Sequence, residues 1–319
     1  MDRAISILFA THNGARTLPR MMAALARLEA PDRPWRIVAV DNASTDETAQ
    51  ILAEAAMRLP MTVLSCPTPG KLPALKVGVG AVTGDLVVFT DDDVEPVPGW
   101  LRAYEAAADA HPEAGFFGGP ITPTPLEPLS PWYEVSEGFH GELFARSRIE
   151  DGPIDPEDDL FGPNFMLRAE HLDVLDSTPD WIGPTFQASK AKSFPLCDDT
   201  AIVMAAGAKG LAGRGVAAAR VNHLVRGFQT ELTFMLERAQ RHGRGWAIHY
   251  LSAKGPTLKR RLGVIGKGLA GGLAPPKPQA AEPDPARFEK MWKANWLHGA
   301  ALGAAFGPFA KAQERPPLS

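Results

Sequence analysis

The first hundred residues alternate between two kinds of hydrophobic periodicity, and that alternation constrains the fold more than any other feature. "AISILFAT" places Ile5, Ile7 and Phe9 at alternate positions and then meets "HNG", a turn signal. Leu18, Met21, Met22, Leu25 and Leu28 follow at helical spacing. "WRIVAVD" is a second apolar strand ending at Asp41, "MTVLSC" a third, and "DLVVFTDDD" a fourth after a short helical stretch. Between the second and third, in "NASTDETAQILAEAAMRL", Ser44 and Glu47 have the spacing of a capping box. Strands alternating with helices imply an α/β fold with a mostly parallel sheet covered on both faces. In such sheets ligands bind beyond the carboxyl ends of the strands. Thr11 to Asn13, Asp41 to Ser44 and Asp91 to Asp93 all stand at those ends, which points to one site rather than three unrelated turns.

The second half is less regular. "WLRAYEAAADAH" reads as a helix and "AGFFGGPI" as a strand into a turn. Residues 120–160, rich in Pro, acidic and aromatic residues, read as a long working loop. In it Trp132 and Tyr133 either stack on a ligand or pack the loop down. "LFGPNFMLRAEHLDVL" reads as a strand into a helix, "CDDTAIVMAAGAKG" as a helix opening on Asp198 and Asp199, and "VAAARVNH" as a late strand, with a long helix from about Gln229. The segment "APPKPQAAEPDP", 274–285, has linker composition. These signals divide the chain into a domain over 1–250 and a helical extension over 251–319.

Bulk properties remove several function classes. A formal net charge of −4 over 319 residues gives no footprint for nucleic acid. Cys66 and Cys197 match no metal spacing and suit a reducing compartment. "MDRAISILFATHNG" has no long apolar leader, and there is no apolar run of the roughly 18 residues a bilayer span requires. The expected location is the cytoplasm.

Three consecutive aspartates after a buried strand demand an offset, because like charges a few Å apart repel and unpaired burial costs more. Either they form a solvated turn or they hold a hard divalent cation through carboxylate oxygens.

The order of motifs resembles that of the family 2 glycosyltransferases, nucleotide-sugar enzymes with a GT-A fold, over residues 4–250. "VDNASTDET" is similar to the family's V-D-N/D-x-S-T-D stretch, and "PGKLPALKVGVGAVTGDLVVFTDDD" to its G-K-x-x-A-L-N-x-G stretch leading into D-x-D. "FGPNFMLRAEHL" looks like its G-x-N-x-x-x-R segment and "CDDT" like its E-D pair. The resemblance implies a Rossmann-like, mostly parallel sheet flanked by helices, with a C-terminal helical extension. It implies transfer of a sugar from a nucleotide diphosphate to an acceptor hydroxyl, with inversion and with Mn²⁺ or Mg²⁺ as cofactor. By position, the implied nucleotide-sugar contacts are Thr11, Asn13, Asp41, Asn42, Lys71, Asp91 and Asp92. Asp41 would accept from the N3–H of uracil or thymine, favouring a UDP- or TDP-sugar. Asp91, Asp93 and His223 are the implied metal ligands, and Asp199 the general base.

The chain departs from the family pattern at several places. His12 stands where the family commonly has a stacking tyrosine, Lys76 replaces the Asn of A-L-N-x-G, and Asp198 replaces the Glu of E-D. "QRHGRGW" lacks the Q-x-x-R-W spacing of processive synthases, which favours single-sugar transfer. The competing readings are an aspartyl-nucleophile phosphatase, a sugar nucleotidyltransferase and an inactive glycosyltransferase-like scaffold. Glu95 at the fifth position of the aspartate motif and the lack of a Gly-rich first loop count against the first two.

In the tail, "KGPTLKRRLGVIGKGLAGGL" aligns Leu258, Leu262, Ile265 and Leu269 as a helix, with Lys259, Arg260 and Lys267 elsewhere. "FEKMWKANWLHGAALGAAF" groups Phe288, Met291, Trp292 and Trp296. Such helices either lie on an anionic membrane, suiting a lipid-linked acceptor of surface polysaccharide or glycolipid assembly, or pack on protein.

Overall fold

In a computed structural model, residues 2–155, 160–176, 198–270 and 282–307 are described. The chain runs β1 (Ile5–Thr11), α1 (Leu18–Leu25), β2 (Trp35–Asp41), α2 (Thr48–Ala56), β3 (Met61–Ser65), α3 (Lys71–Val79) and β4 (Leu86–Phe89). There follow β5 (Val94–Pro96), α4 (Trp100–Ala110), β6 (Ala114–Gly118), β7 (Ile121–Pro125) and the short α5 (Trp132–Val135) and α6 (His140–Phe144). Then come β8 (Gly152–Ile154), β9 (Phe165–Arg168), α7 (Asp198–Ala208), β10 (Ala212–Gly215) and β11 (Val221–Val225), and finally α8 (Leu232–Lys254), α9 (Leu258–Ala270) and α10 (Pro285–Phe306).

An eight-stranded sheet has the order β3-β2-β1-β4-β9-β6-β10-β8. Its first four strands are parallel, and β9 enters antiparallel between β4 and β6. The mixed α/β fold expected from the alternation is therefore present. Alternate residues of β1 feed opposite layers. Ile5, Ile7 and Phe9 pack with Leu18, Met21 and Leu25 of α1, Leu52 of α2 and Trp100 and Tyr104 of α4. Leu8 joins Val38, Val40, Leu72, Leu75 and Phe89 on the other face, with Ile202 and Val203 of α7. Each such side chain contributes about 1.5–3 kcal/mol on full burial, which explains why an apolar run reads as a central strand. A second sheet, β5-β11-β7, forms beside the aspartates.

Three local expectations are corrected. Ser44 and Glu47 do not form a capping box, because α2 starts only at Thr48 and has no side-chain cap from Glu47. Asp46 does that work, accepting from the Thr48 N–H at 3.0 Å and from the Ala15 N–H at 3.2 Å. The 120–160 segment is not one loop: it contains β7, α5, α6 and β8. Pro123 and Pro125 are tolerated because β7 is an edge strand whose ladder runs along β11, its other side meeting Ser147 at Ile121, before the two prolines. Beyond β9 the chain enters a 3₁₀ helix, Ala169–Leu175, rather than an α-helix.

By compactness the described residues fall into two units, one of residues up to 128, 139–176 and 198–227, the other of 129–138 and 228–307. In the second, α10 packs along α8 and α9. Glycines set how close the helices come: a Cβ on Gly299 would lie 1.9 Å from the Gln240 carbonyl oxygen, and one on Gly243 2.0 Å from that of Trp296. The aromatic stripe of α10 faces inward. Phe288 and Trp292 are buried, Phe288 lies 6.3 Å from the Trp132 ring, and Trp296 packs on Trp246 at 5.0 Å. Those α10 aromatics are thus core of the helical unit and not a membrane face, and Trp132 packs with them. The 274–285 linker lies mostly outside the described residues.

Candidate active site

Register brings the first two polar clusters together, since Thr11 pairs with Asp41 at the carboxyl ends of β1 and β2. The loops beyond them interlock. Asn13 adopts φ 54°, a left-handed conformation that Asn tolerates better than most residues. Its N–H donates to Ser44 Oγ at 3.0 Å and its Oδ1 accepts from the Thr45 N–H at 2.8 Å. His12 donates from Nδ1 to the Asn42 carbonyl at 2.8 Å, leaving Nε2 to accept from Asn13 Nδ2 at 3.1 Å. Asp41 Oδ1 accepts from the Ser44 N–H at 3.1 Å, so this carboxylate caps its own turn. The Ser44 hydroxyl that the sequence assigns to a helix cap is consumed by Asn13, a long-range contact.

Asn42 is buried, and both ends of its amide are taken up by protein. Nδ2 donates to the carbonyls of Cys66 at 2.9 Å and Thr68 at 2.7 Å, while Oδ1 accepts from the Gly70 N–H at 2.8 Å. It therefore pins the loop that precedes α3 rather than offering a free group to a nucleotide. Gly70 there adopts φ 134°, a value that suits glycine. The next residue, Lys71, opens α3 with Nζ 2.5 Å from Asp91 Oδ1.

The three aspartates have three environments. Asp91 pairs with Lys71. Asp92 is partly buried and accepts a 2.5 Å hydrogen bond from Thr11 Oγ1. Burial, then the charge of Asp93, pushes its carboxyl up to about 7, with the Thr11 bond and Arg226 opposing. Asp93 is buried, with Oδ1 3.3 Å from His223 Nε2, and His223 donates from Nδ1 to the Phe144 carbonyl at 2.7 Å. Burial alone would raise the Asp93 carboxyl, but His223, Arg226 and Lys71 outweigh it and hold it below the ordinary range. Burial would lower His223, and Asp93 beside it reverses that and raises the imidazole.

Among the described residues no group of three His, Cys, Asp or Glu side chains is placed to hold a metal ion by itself. By donor chemistry alone, three side chains suit a divalent ion whose shell a substrate would complete. Asp91, Asp93 and His223 supply hard oxygens and an imidazole, and Mg²⁺-type sites commonly complete their shell with phosphate oxygens and water.

Two groups escaped the sequence reading. Arg226, just beyond β11, acts electrostatically on both Asp92 and Asp93. Its one signal is position, as the lone basic residue following the strand that carries His223. Asn164 accepts on Oδ1 from Trp100 Nε1 at 2.9 Å and from the Tyr104 hydroxyl at 2.8 Å. Its Nδ2 donates to the carbonyls of Pro120 at 3.1 Å and Ala219 at 2.7 Å. One residue earlier, the Pro163 carbonyl accepts from Thr90 Oγ1 at 2.9 Å, immediately before the aspartates. The G-x-N segment thus braces the floor of the site. Asp199 lies in the first turn of α7, and its side chain is outside the described residues.

A profile of glycosyl transferase family 2 matches residues 6–175, more than half of the 319-residue chain. Over 116 residues the chain is 34% identical to the undecaprenyl-phosphate 4-deoxy-4-formamido-L-arabinose transferase of Sodalis glossinidius, a match covering 35% of this chain and 36% of that protein. The protein of the same name from Pectobacterium carotovorum is 29% identical over 116 residues, with the same coverage of both. The chain therefore spans about a third of the length of the curated relatives it matches. Among solved structures, the mannosyltransferase PcManGT from Pyrobaculum calidifontis, in complex with GDP-Man and Mn²⁺, superposes with a TM-score of 0.57 at 19% identity, over 95% of this chain and 87% of that one. S. aureus TarS 1-349 in complex with UDP-GlcNAc does so at 0.52 and 15%, over 95% and 90%. At these identities the likeness speaks for the fold alone, and that fold is GT-A. On the profile match, with the fold and the order of motifs in agreement, the chain belongs to glycosyl transferase family 2.

Proposed function

We propose that this chain is an inverting, metal-dependent glycosyltransferase that moves one sugar from a nucleotide-diphosphate donor, a UDP- or TDP-sugar by preference, to an acceptor oxygen. The observation that carries the reading is the convergence of Asp41, the Lys71–Asp91 pair and the Asp93–His223 pair at adjacent strand and helix ends. Family relatives named for undecaprenyl phosphate support an acceptor carried on a lipid, as in bacterial surface polysaccharide or glycolipid assembly. Fold neighbours crystallised with UDP-GlcNAc, or with GDP-Man and Mn²⁺, support a nucleotide-sugar donor and a divalent ion.

The chemistry divides among the residues as follows. Among the described residues Asp41 Oδ2 accepts no hydrogen bond, so it can receive the base N3–H while Oδ1 keeps its turn. The Lys71 ammonium, held at the start of α3, balances charge near the diphosphate. A divalent ion held by Asp91, Asp93 and His223 would supply Lewis-acid stabilisation of the departing diphosphate. Asp199 takes the proton of an acceptor hydroxyl as its oxygen attacks the anomeric carbon. Attack from the face opposite the leaving group inverts the centre, and the C–O bond to the diphosphate breaks as the new one forms.

Calorimetric titration with UDP, in Mn²⁺ and in EDTA, beside Asp93→Ala, tests the reading. UDP should bind only with Mn²⁺, and the variant should lose that binding. Binding of GDP in place of UDP and TDP would overturn the base assignment to Asp41. If none of the three binds in either condition, the transferase reading fails.

A further inference from the structure

The three long helices of the second unit meet at one end. A Cβ on Gly303 of α10 would contact the Arg244 carbonyl oxygen and the Ala247 side chain of α8, and one on Gly307 the Ile248 side chain, so the two helices run parallel. Arg261, near the start of α9, donates to the carbonyls of Ala304 and Ala305 at 2.8 and 2.7 Å. Its neighbour Arg260 donates to the carbonyls of Lys254 and Gly255 at the end of α8. The end of α8, the start of α9 and the end of α10 therefore form a common tip, held by two arginines.

That tip carries an unusual surface. Leu258 is 71% exposed, Leu262 57% and Phe306 75%, although Val264 of the same helix α9 is buried against its partners. Leu258 and Leu262, one turn apart, share a face. Phe306 directly follows the two carbonyls that Arg261 holds, which keeps it beside α9. Lys254, Lys259, Arg260 and Lys267 are exposed around these residues. From 238 to 281 the sequence has nine Lys or Arg and no Asp or Glu, in a chain whose net charge is −4.

We propose that this tip docks on an anionic phospholipid bilayer, with Leu258, Leu262 and Phe306 entering the boundary between headgroups and acyl chains and the surrounding cations resting on the headgroups. Exposed apolar side chains ringed by basic ones match such a surface in both polarity and charge. A second copy fits less well, because a two-fold contact would set one basic tip against another. Among the described residues no helix is long and apolar enough to cross a membrane, so the contact is a peripheral one. The inference deepens the lipid-linked acceptor reading, but its own physics does not depend on transfer.

The test is flotation of the full chain with vesicles of phosphatidylglycerol and phosphatidylcholine in equal parts, and with phosphatidylcholine alone. The chain should float with the mixed vesicles and be released by salt, and should stay behind with the neutral ones. Leu258→Ser/Leu262→Ser/Phe306→Ser should weaken flotation about tenfold or more, and Lys254→Glu/Lys259→Glu should abolish the preference for anionic lipid. Because these side chains are exposed, thermal melting and UDP binding should be unchanged in both variants. Failure of the parent chain to float, or a triple variant that floats equally well, overturns the inference. So does a chain that ignores vesicles but sediments as a dimer that the triple variant dissociates. Flotation without any nucleotide binding sinks the transferase reading and leaves this one standing.

Discussion

Thr11 Oγ1 donates a 2.5 Å hydrogen bond to Asp92 Oδ2, and through it the loop after β1 is tied to the aspartates after β4. Thr11 is also the register partner of Asp41. One hydroxyl thus connects the edge where a base would sit to the edge where a diphosphate and its ion would sit. Asp91 and Asp93, on either side of Asp92, are held separately, by Lys71 and by His223.

Gly14→Ala tests the tie. A Cβ there would lie 2.3 Å from Thr11 Oγ1 and 2.7 Å from Asp92 Oδ2, so the pair must separate. Overpacking of this kind costs about 1–3 kcal/mol. We expect UDP affinity in Mn²⁺ to drop about tenfold, some 1.4 kcal/mol, with only a modest fall in melting temperature. Calorimetry and a thermal melt on one preparation check it. Unchanged affinity would mean that the two loops hold their places without the bond.

Asn42→Ala should show the opposite balance, with stability affected first. The substitution strips partners from the Gly70 N–H and from the Cys66 and Thr68 carbonyls at a buried position. Each buried polar group left without a partner costs about 1–3 kcal/mol, so a loss of about 2–4 kcal/mol is expected after local relaxation. Urea denaturation measures it. Since the same loop delivers Lys71 to Asp91, nucleotide affinity should fall too. A loss confined to affinity would identify Asn42 as a ligand contact instead of a pin.

Alkaline pH isolates a different part of the molecule. Tyr104 is buried, donates its hydroxyl to Asn164 Oδ1 at 2.8 Å, and is raised well above its ordinary value by burial. Below about pH 10 neither the folded nor the unfolded chain ionises this phenol, and it adds no pH dependence. Above that value the unfolded chain releases the proton and the folded chain keeps it, so stability falls as pH rises. Denaturation midpoints measured across that range should slope downward, and Tyr104→Phe should flatten the slope while lowering stability at neutral pH by about 1 kcal/mol. An equal slope in the variant would assign alkaline unfolding to other groups.

The parts of the fold legible in the sequence are those that local periodicity decides. β1, β2 and β4 are apolar runs because helices cover both faces, and the polar residues that end them cluster because parallel strands end together. What the sequence concealed depends on contacts remote along the chain. The spacing of Ser44 and Glu47 fits a helix cap, but the Ser44 hydroxyl is spent on the Asn13 N–H, 31 residues away. Pro123 and Pro125 suggest a loop until β11 is seen to need only one side of that strand. In α10, the face bearing Phe288 and Trp292 has the periodicity of a membrane-surface helix, and nothing local distinguishes lipid from the partners that cover it. Asn164 looks like one motif letter among several, and only the fold gathers Trp100, Tyr104, Pro120 and Ala219 around it.

Membership of the family does not fix the acceptor. A sugar hydroxyl must lose its proton as it attacks, and a positioned base is typically worth roughly 10²–10⁴-fold. A phosphate monoester, with a second pKa of about 6, is already a dianion at neutral pH and needs no base. Asp199→Asn therefore distinguishes the two acceptors. With a saccharide hydroxyl, kcat should fall by roughly 10²–10⁴ while UDP affinity holds, because the residue acts on the proton and not on the donor. With undecaprenyl phosphate, the lipid phosphate in the relatives' name, as acceptor, the same variant should lose less than about tenfold. Both assays need only the donor sugar that the nucleotide screen identifies. Equal large losses with the two acceptors would remove Asp199 from the role of base and assign it to holding the donor.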